Sequence, residues 1–259
     1  MAGTTEPRVV IVLPARYASS RLPGKPLADL LGKPLIQHAY EAAARVPGVD
    51  RVLVATDDQR IADGVKQFGG QVVVTTGDHR TGTDRLTEVA GQVEGDLFVN
   101  IQGDEILKEP AMLAPLIATF KKDPSLQVGT LCHAITDVSD LDNPNVVKVT
   151  LDHDGFALYF SRASIPYRRD AGDQTMLKPA TFFRHFGIYI YRREALMAFP
   201  ALPDSSLEDI EKLEQLRFLQ AGYRIRVLIT EHTAYRVDTP FDLEQVARDM
   251  SIHGTERRD

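Results

Sequence analysis

The chain has 259 residues, of which 43% are hydrophobic and 25% are charged, which is enough for one large α/β domain with or without a lobe. Its formal net charge of -6 argues against a general nucleic-acid-binding protein, because such proteins need a broad basic surface. The sequence has no apolar run long enough for a membrane span and no signal-peptide core, so we expect no membrane partner and no export. It has a single cysteine, Cys132, which suits a reducing compartment, so we expect a cytoplasmic protein.

Apolar strands and amphipathic helices alternate in the first half of the chain. We predict strands at 8–14, 51–56, 71–76 and 96–101. We predict helices at 33–46, 82–93 and 110–121. A further helix is predicted to run through Ile61 and Val65 and to end at Gly69. This order predicts a mostly parallel sheet with right-handed crossovers, whose ligands bind beyond the carboxyl ends of the strands.

The second half of the chain is richer in strands. A hairpin turns at Asp154-Gly155, and a further strand follows at 185–192. Residues 168–182 have no periodicity and are predicted to form a mobile loop, whereas 206–221 reads as one long helix. We therefore predict a single domain over 1–259. We expect an inserted β-rich lobe at about 125–200 and flexible tails at 1–7 and 251–259.

Three cations follow the first predicted strand in the stretch LPARYASSRLPGKPL. Arg16, Arg21 and Lys25 are spaced among small residues whose backbone N–H groups can face an anion. Fixed cations and free N–H groups on a close-fitting loop are what a polyphosphate requires. The alternative is a solvated loop paired with surface acids. Three cations behind a buried strand in an acidic protein favour the phosphate site.

Two carboxylates are candidates for a divalent metal beside that loop. Asp104 follows Gly103 at the end of the predicted strand 96–101, and Asp238 ends a later strand. Mg²⁺ prefers one or two carboxylates together with phosphate oxygens. Taken alone, Asp104 could equally be a turn residue. Thr239 and Asp242 have capping-box spacing, which leaves the Asp238 carboxylate free for another role.

The predicted helix 206–221 carries charge on its apolar face. Its stripe is formed by Leu207, Ile210, Leu213 and Phe218. Glu214 and Arg217 fall within the stripe, whereas Glu208 and Glu211 fall outside it. A charged residue on a core-facing arc is either paired or exposed to a cavity. Glu214 therefore either pairs with Arg217 or lines a pocket.

The strand HFGIYIYR separates into an apolar face and a face with polar tips. His185, Gly187 and Tyr189 share the second face by alternation. A single histidine is usually structural, but His185 and Tyr189 on either side of a glycine suggest a face that is open to a ligand.

Taken together, these motifs resemble those of the 3-deoxy-manno-octulosonate (Kdo) cytidylyltransferases, also called CMP-Kdo synthetases. The resemblance covers nearly the whole chain, in order. It rests on PARYASSRLPGKPL, ATDD, GTDRL, NIQGDE, NPNVVKV, ALYFSRASIP, RHFGIYIYR, LEQLR and VDTPFDLE. This chain departs from the QGDEP that is common in the family by reading QGDEILKEP, which retains Asp104.

The resemblance implies a three-layer, Rossmann-like nucleotidyltransferase fold with a mixed, mostly parallel sheet. It also implies a nucleotidyltransferase that moves CMP from CTP to the anomeric hydroxyl of Kdo, with Mg²⁺, for lipopolysaccharide biosynthesis. A homodimer with contacts through the lobe is a further implication. The alternatives are a cytidylyltransferase for a related sugar acid, such as 8-amino-Kdo or sialic acid, and a non-catalytic CTP-binding module.

The resemblance also assigns roles to residues. The metal ligands are Asp104 and Asp238, which are catalytic together with Arg16 and Lys25. The nucleotide contacts are Ala15, Arg16, Lys25, Gly82, Arg85 and Gln102. The sugar contacts are Arg21, Gln102, His185, Tyr189, Glu214 and Gln215. Without the resemblance, Arg85 would be predicted as an exposed helix residue. Three arginines border the predicted loop, and any one of them could bind the substrate carboxylate: Arg162, Arg168 and Arg169.

Overall fold

The computed structural model describes residues 6–18, 21–76, 79, 81–167, 169 and 182–256. Within these ranges, no helix combines the length and the apolar character that a membrane span requires.

The strands and helices follow one another along the chain as follows. The strands are β1 Val9–Pro14, β2 Asp29–Leu30, β3 Lys33–Pro34, β4 Arg51–Thr56, β5 Val72–Val74, β6 Leu97–Asn100, β7 Glu105–Leu107, β8 Val128–Ala134, β9 Lys148–Leu151, β10 Ala157–Ser161, β11 Phe183–Arg192, β12 Ile225–Ile229 and β13 Ala234–Arg236. The α-helices are α1 Leu35–Ala43, α2 Gln59–Gln67, α3 Gly82–Gln92, α4 Ala114–Lys122, α5 Ser139–Asp142, α6 Arg193–Ala198, α7 Ser206–Glu211, α8 Gln215–Gln220 and α9 Pro240–Glu256.

The central sheet is mixed, with a parallel half built from the first part of the chain. In that half β6, β1, β4 and β5 are neighbours, and each pair is parallel. β11 lies antiparallel to β6 and joins the parallel half to β8, β9, β10 and β12. The predicted α/β class with a mixed, mostly parallel sheet is confirmed. The carboxyl ends of β1, β4 and β6 meet at one edge of the sheet.

Helices cover both faces of the sheet, so the molecule has three layers. On β1, Ile11 and Leu13 join a core cluster with residues of α1 and α4, whereas Val10 and Val12 join a second cluster with residues of α3 and α6. This two-sided burial explains why β1 is a continuous apolar run. Cys132 is fully buried in β8, and burial raises the pKa of its thiol to about 12, which indicates a structural residue and not a nucleophile.

The segment 125–200 does not form a separate sheet. Its strands β8 to β11 pair with one another and with β6, so they extend the central sheet instead of standing apart as a lobe. At the C-terminal end, α9 continues to Glu256, so residues 251–256 of the predicted tail are helical. The predicted mobile loop 168–182 lies almost wholly outside the described residues.

The single helix predicted over 206–221 is wrong. Helix α7 ends at Glu211, because Lys212 adopts a left-handed conformation with φ 53°, and α8 begins at Gln215. The interruption rotates the two halves relative to each other. As a result Ile210 is 79% exposed, whereas Glu208 is buried. The helical periodicity that grouped Ile210 with the core does not continue across the break.

Candidate active site

The first loop and the loop after β6 lie in direct contact at the sheet edge. Ala15 is buried, and its N–H donates to the carbonyl of Ala55 at 2.9 Å. The N–H of Gly103 donates to the carbonyl of Pro14 at 3.2 Å, and a Cβ at position 103 would lie only 2.9 Å from that oxygen. The close approach therefore requires glycine, and it brings the next residue, Asp104, beside the cationic loop.

Lys25 lies between the two predicted metal carboxylates. Its Nζ donates to Asp104 Oδ2, to the carbonyl of Val237 at 3.0 Å and to Asp238 Oδ1 at 3.3 Å. A left-handed turn at Gly24, with φ 69°, precedes the short 3-10 helix that begins at Lys25. The structure thus gathers acids that are far apart in the sequence around one ammonium group.

The Asp238 carboxylate faces further cations. Its Oδ1 lies 3.2 Å from the Arg21 guanidinium, and its Oδ2 lies 3.1 Å from Arg236 Nε. The predicted capping box is present, because Thr239 Oγ1 accepts from the N–H of Asp242 while Asp242 Oδ2 accepts from the N–H of Thr239. The Asp238 side chain has no capping task and remains directed at the cationic loop.

A small two-stranded sheet holds the backbones of the two acids together. β7 and β13 pair antiparallel, with Glu105 opposite Arg236. Beyond the last pair, the N–H of Val237 donates to the carbonyl of Asp104 at 3.2 Å. The sequence did not predict either strand, because each has only three residues. The residue that departs from the family pattern, Ile106, lies within β7 and is buried.

Glu105 is a second buried carboxyl next to Asp104. Burial, followed by the charge of Asp104, raises its pKa to about 7. Its Oε2 has no hydrogen-bond partner among the described residues. Sequence reasoning did not single it out, although it follows Asp104 directly in QGDE.

The paired acids fit a divalent magnesium ion. Asp104 and Asp238 offer oxygen ligands that converge on one positive charge, the Lys25 ammonium. Over the described ranges, no group of three or more His, Cys, Asp or Glu residues could hold a metal. Mg²⁺ keeps water or phosphate oxygens as most of its ligands, so two protein carboxylates are enough to bind it. An ion that needs a full set of protein ligands would not find them here among the described residues.

Arg16 connects the first loop to the loop that precedes α3. Its guanidinium is exposed and donates to the carbonyls of His79 at 2.8 Å and Thr81 at 3.4 Å. Thr81 then caps α3 through a capping box with Asp84. Arg16 therefore lies at the sheet edge beside the N-terminus of α3, where an anion is favoured.

Arg85 does not lie where the sequence interpretation expected it. It is buried, not exposed, and its guanidinium donates to Asp57 at 2.8 Å and to Thr75 at 2.5 Å. The structure thus directs it into the protein, where it joins the ends of β4 and β5 to α3. Its contacts make it a support for the segments that follow β4 and β5, and its contact with a nucleotide stays a prediction.

Gly82 opens α3 next to two amide side chains. A Cβ at this position would lie 3.4 Å from Gln102 Nε2 and 3.8 Å from Asn100 Nδ2. Gly82 does not adopt a left-handed φ, so alanine is compatible with its backbone. Glycine here keeps the space above the end of β6 open.

We expect Gly82→Ala to raise the KM for CTP, the nucleotide that the sequence resemblance implies, severalfold by narrowing the space above β6. We expect no loss of melting temperature, because alanine is a better helix former than glycine. Steady-state kinetics and thermal unfolding measure both effects. Gly91→Ala in the same helix is the matched control, since a Cβ there meets nothing within 4 Å. An equal rise in KM in both variants would contradict the assignment of Gly82 to the site.

Glu214 is not the partner of Arg217. The Arg217 guanidinium binds Glu208 at 2.5 and 2.7 Å, and both side chains are buried. Glu214 accepts from the N–H of Thr83 at 3.3 Å, and burial raises the pKa of its carboxyl. Of the two alternatives, a pair with Arg217 is therefore wrong, and Glu214 lies beside the N-terminus of α3. The adjacent Gln215 is buried.

His185 and Tyr189 lie together on β11, as alternation predicted. Their ring centroids are 5.2 Å apart. His185 Nε2 lies 3.0 Å from Thr130 Oγ1, and burial lowers the pKa of the imidazole to about 3, so it is neutral at physiological pH. Burial raises the pKa of Tyr189 well above its ordinary value. Both groups offer neutral hydrogen bonds and no charge.

The arginines near the predicted loop 168–182 separate into different environments. Arg162 donates from Nε to the carbonyl of Glu211 at 2.8 Å and from a terminal nitrogen to the carbonyl of Pro144 at 2.9 Å. It is therefore engaged in joining β10 to the end of α7. Arg169 is exposed, and Arg168 lies outside the described residues.

Known proteins of one family are similar to this chain over most of its length. A family model described as cytidylyltransferase matches residues 9–225. Two relatives named 3-deoxy-manno-octulosonate cytidylyltransferase come from Syntrophotalea carbinolica and Escherichia coli. The first is 52% identical over 241 residues, covering 92% of this chain and 96% of the relative. The second is 48% identical over 239 residues, covering 92% and 94%.

A solved structure agrees with these relatives over almost the full length. It is described as CMP:2-keto-3-deoxy-manno-octonic acid synthetase complexed with CTP. It superposes with a TM-score of 0.88 at 46% identity, covering 95% of this chain and 99% of the other. The chain therefore belongs to the 3-deoxy-manno-octulosonate cytidylyltransferase family.

Proposed function

We propose that this protein transfers CMP from CTP to the anomeric hydroxyl of Kdo, releasing pyrophosphate and supplying CMP-Kdo for lipopolysaccharide biosynthesis. The observation that carries the proposal is the convergence of Asp104 and Asp238 on Lys25 at the carboxyl edge of the sheet. The names of the relatives support the same substrates. An in-line displacement at a phosphate needs this combination of positioning and charge neutralisation, without a covalent enzyme intermediate.

The cations of the first loop neutralise the triphosphate in this proposal. Lys25 and Arg16 stabilise the negative charge that develops on the phosphates as pyrophosphate departs. Arg21, which lies beside Asp238, binds either a phosphate or the carboxylate of the sugar acid. These residues orient the α-phosphate so that the sugar hydroxyl can attack on the side opposite the leaving group.

Asp104 and Asp238 would hold Mg²⁺ in the proposed enzyme. When bound there, the ion neutralises charge at the α-phosphate and lowers the pKa of the attacking hydroxyl. The two acids are well suited to this task because their side chains are mostly buried, with exposed fractions of 20% and 21%, and lie next to the cationic loop.

Neutral groups and one carboxylate would bind the sugar acid. Glu214 and Gln215 lie at the start of α8. Tyr189 and His185 lie on β11, which pairs with β6 on the side opposite β1, and the Gln102 amide lies beside Gly82. Because His185 stays neutral, its role is to accept or donate a hydrogen bond, and it does not neutralise the substrate carboxylate.

The test is pyrophosphate release with CTP, Mg²⁺ and Kdo, repeated with UTP, without metal, and with 8-amino-Kdo or sialic acid in place of Kdo. We expect turnover to require CTP, metal and Kdo, and to be slower with the other acids. Faster turnover with another acid would reassign the substrate. Tight CTP binding with no pyrophosphate from any acid would support a CTP-binding module instead.

We also propose that the protein is a cytoplasmic homodimer. The free thiol of Cys132 suits a reducing compartment. The contact is expected within the segment 125–200, which includes the edge strand β10. Leu158 on this strand is 62% exposed and could pack against a second copy of the chain. Sedimentation equilibrium of the purified protein measures the mass directly.

A further inference from the structure

Asn100, the last residue of β6, is a buried amide without a hydrogen-bond partner among the described residues. Its exposure is 0%, yet neither Oδ1 nor Nδ2 has a hydrogen-bond partner within the part of the chain that the structure describes. A buried amide is costly when it is unpaired, and nearly all such groups in folded proteins are paired. Two unpaired atoms on one side chain make this amide a candidate for hydrogen bonds to a bound ligand.

The surroundings of Asn100 already contain groups assigned to the site. Tyr189 lies directly opposite it on the neighbouring strand β11, so the two side chains share one face of the sheet. A Cβ on Gly82 would lie 3.8 Å from Asn100 Nδ2, which puts the amide beneath the N-terminus of α3. Thr83, the next residue of α3, donates its N–H to Glu214.

Other buried polar atoms near this place are also unpaired. The hydroxyl of Tyr189 and Nε2 of Gln215 lack hydrogen-bond partners among residues with described positions. Glu214 accepts from the N–H of Thr83, whose Oγ1 lies 3.4 Å from the hydroxyl of Tyr191, and the Tyr191 ring stacks on that of Tyr189. Several buried donors and acceptors thus lie under the N-terminus of α3 without hydrogen-bond partners among the residues that the structure describes.

We propose that Asn100 is a specificity-determining residue that binds the sugar acid, with Oδ1 accepting from one hydroxyl and Nδ2 donating to a second oxygen of the same molecule. An amide matches a pair of neighbouring hydroxyls, because it offers an acceptor and donors in one plane. A nearby carboxylate, Glu214, disfavours a phosphate here and favours neutral hydroxyls. The inference rests on the proposed function and names a further residue of that site.

The decisive variant is Asn100→Leu, which keeps similar volume and removes both polar atoms. Since the amide has no partner among the described residues, we expect its removal to leave the melting temperature unchanged or to raise it. The KM for Kdo will rise about 10- to 100-fold, because a site built to bind hydroxyls loses its hydrogen bonds. The dissociation constant for CTP alone, measured by calorimetry, will change by less than about twofold.

Phe98→Leu is the matched control for loosening of β6. Phe98 is fully buried on the same face of the same strand and faces Tyr191 instead of Tyr189. We expect a lower melting temperature and an unchanged KM for Kdo. Asn100→Ala, which cannot overpack, must raise the KM as Asn100→Leu does.

Several results would overturn the inference. An unchanged KM for Kdo in both Asn100 variants would do so. A loss of CTP affinity as large as the rise in the KM for Kdo would also do so, because it would assign the amide to the ribose of the nucleotide. A large loss of stability in Asn100→Ala with normal KM would show that the amide is paired within the protein. Absence of turnover in the unmodified enzyme would instead refute the proposed function, and the inference would fall with it.

Discussion

Asp104→Asn and Asp238→Asn will each lower the rate of pyrophosphate release by about a thousandfold or more, which corresponds to several kcal/mol of transition-state stabilisation. Both carboxylates lie against Lys25 at the edge of the sheet. An amide of the same shape keeps the packing but loses the negative charge that a divalent cation needs. Turnover at saturating CTP and Mg²⁺ measures the effect, and circular dichroism checks that the fold persists.

Asp249→Asn serves as the control for removal of a negative charge. Asp249 is exposed on α9 and lies in the same C-terminal part of the chain as Asp238. Its replacement is expected to leave turnover unchanged. If either Asp104→Asn or Asp238→Asn retained near-normal turnover with Mg²⁺, the assignment of that acid to the metal would be refuted.

Glu208→Ala will lower the free energy of unfolding by about 3–5 kcal/mol, the largest loss of stability that we expect from a single change. Glu208 binds the Arg217 guanidinium through two hydrogen bonds, and Arg217 is only 5% exposed. Removal of the carboxylate leaves a buried guanidinium without its counter-ion. Denaturant unfolding monitored by circular dichroism provides the measurement.

The control for this pair is an exposed ion pair of the same type. Arg224→Ala breaks the contact with Asp152, in which the arginine side chain is 59% exposed, and should cost less than about 1 kcal/mol. The double variant Glu208→Leu/Arg217→Leu should recover much of the stability, because well-packed apolar residues can replace a buried ion pair. A similar loss from Glu208→Ala and Arg224→Ala would refute the buried-pair explanation.

The parallel half of the sheet could be predicted from the sequence because its signals are local. β1 is covered on both faces and is therefore apolar without interruption, β6 is apolar up to Asn100, and the capping box at Thr239 marks the start of α9 within a few residues. The carboxyl ends of parallel strands share an edge, so the positions of Asp104 and the first loop followed from strand order alone.

The features that the sequence did not predict depend on contacts between distant residues. β7 and β13 are too short to show a pattern, and they exist because they pair with each other. The break at Lys212 requires a left-handed residue that has no local signal, and the pairing of Arg217 with Glu208 follows from that break. Arg85 was misplaced for the same reason, since only the fold shows Asp57 beside it.

The pairing of β7 with β13 has an energetic consequence for catalysis. Backbone hydrogen bonds keep the main chains of Asp104 and Asp238 adjacent. The mutual repulsion of the two carboxylates is thus overcome when the polypeptide folds, with Lys25 as the internal counter-ion. A cation that binds between the two carboxylates would replace Lys25 as their counter-ion and would find their main chains already adjacent, so the affinity of the proposed site would depend in part on preorganisation set by main-chain geometry.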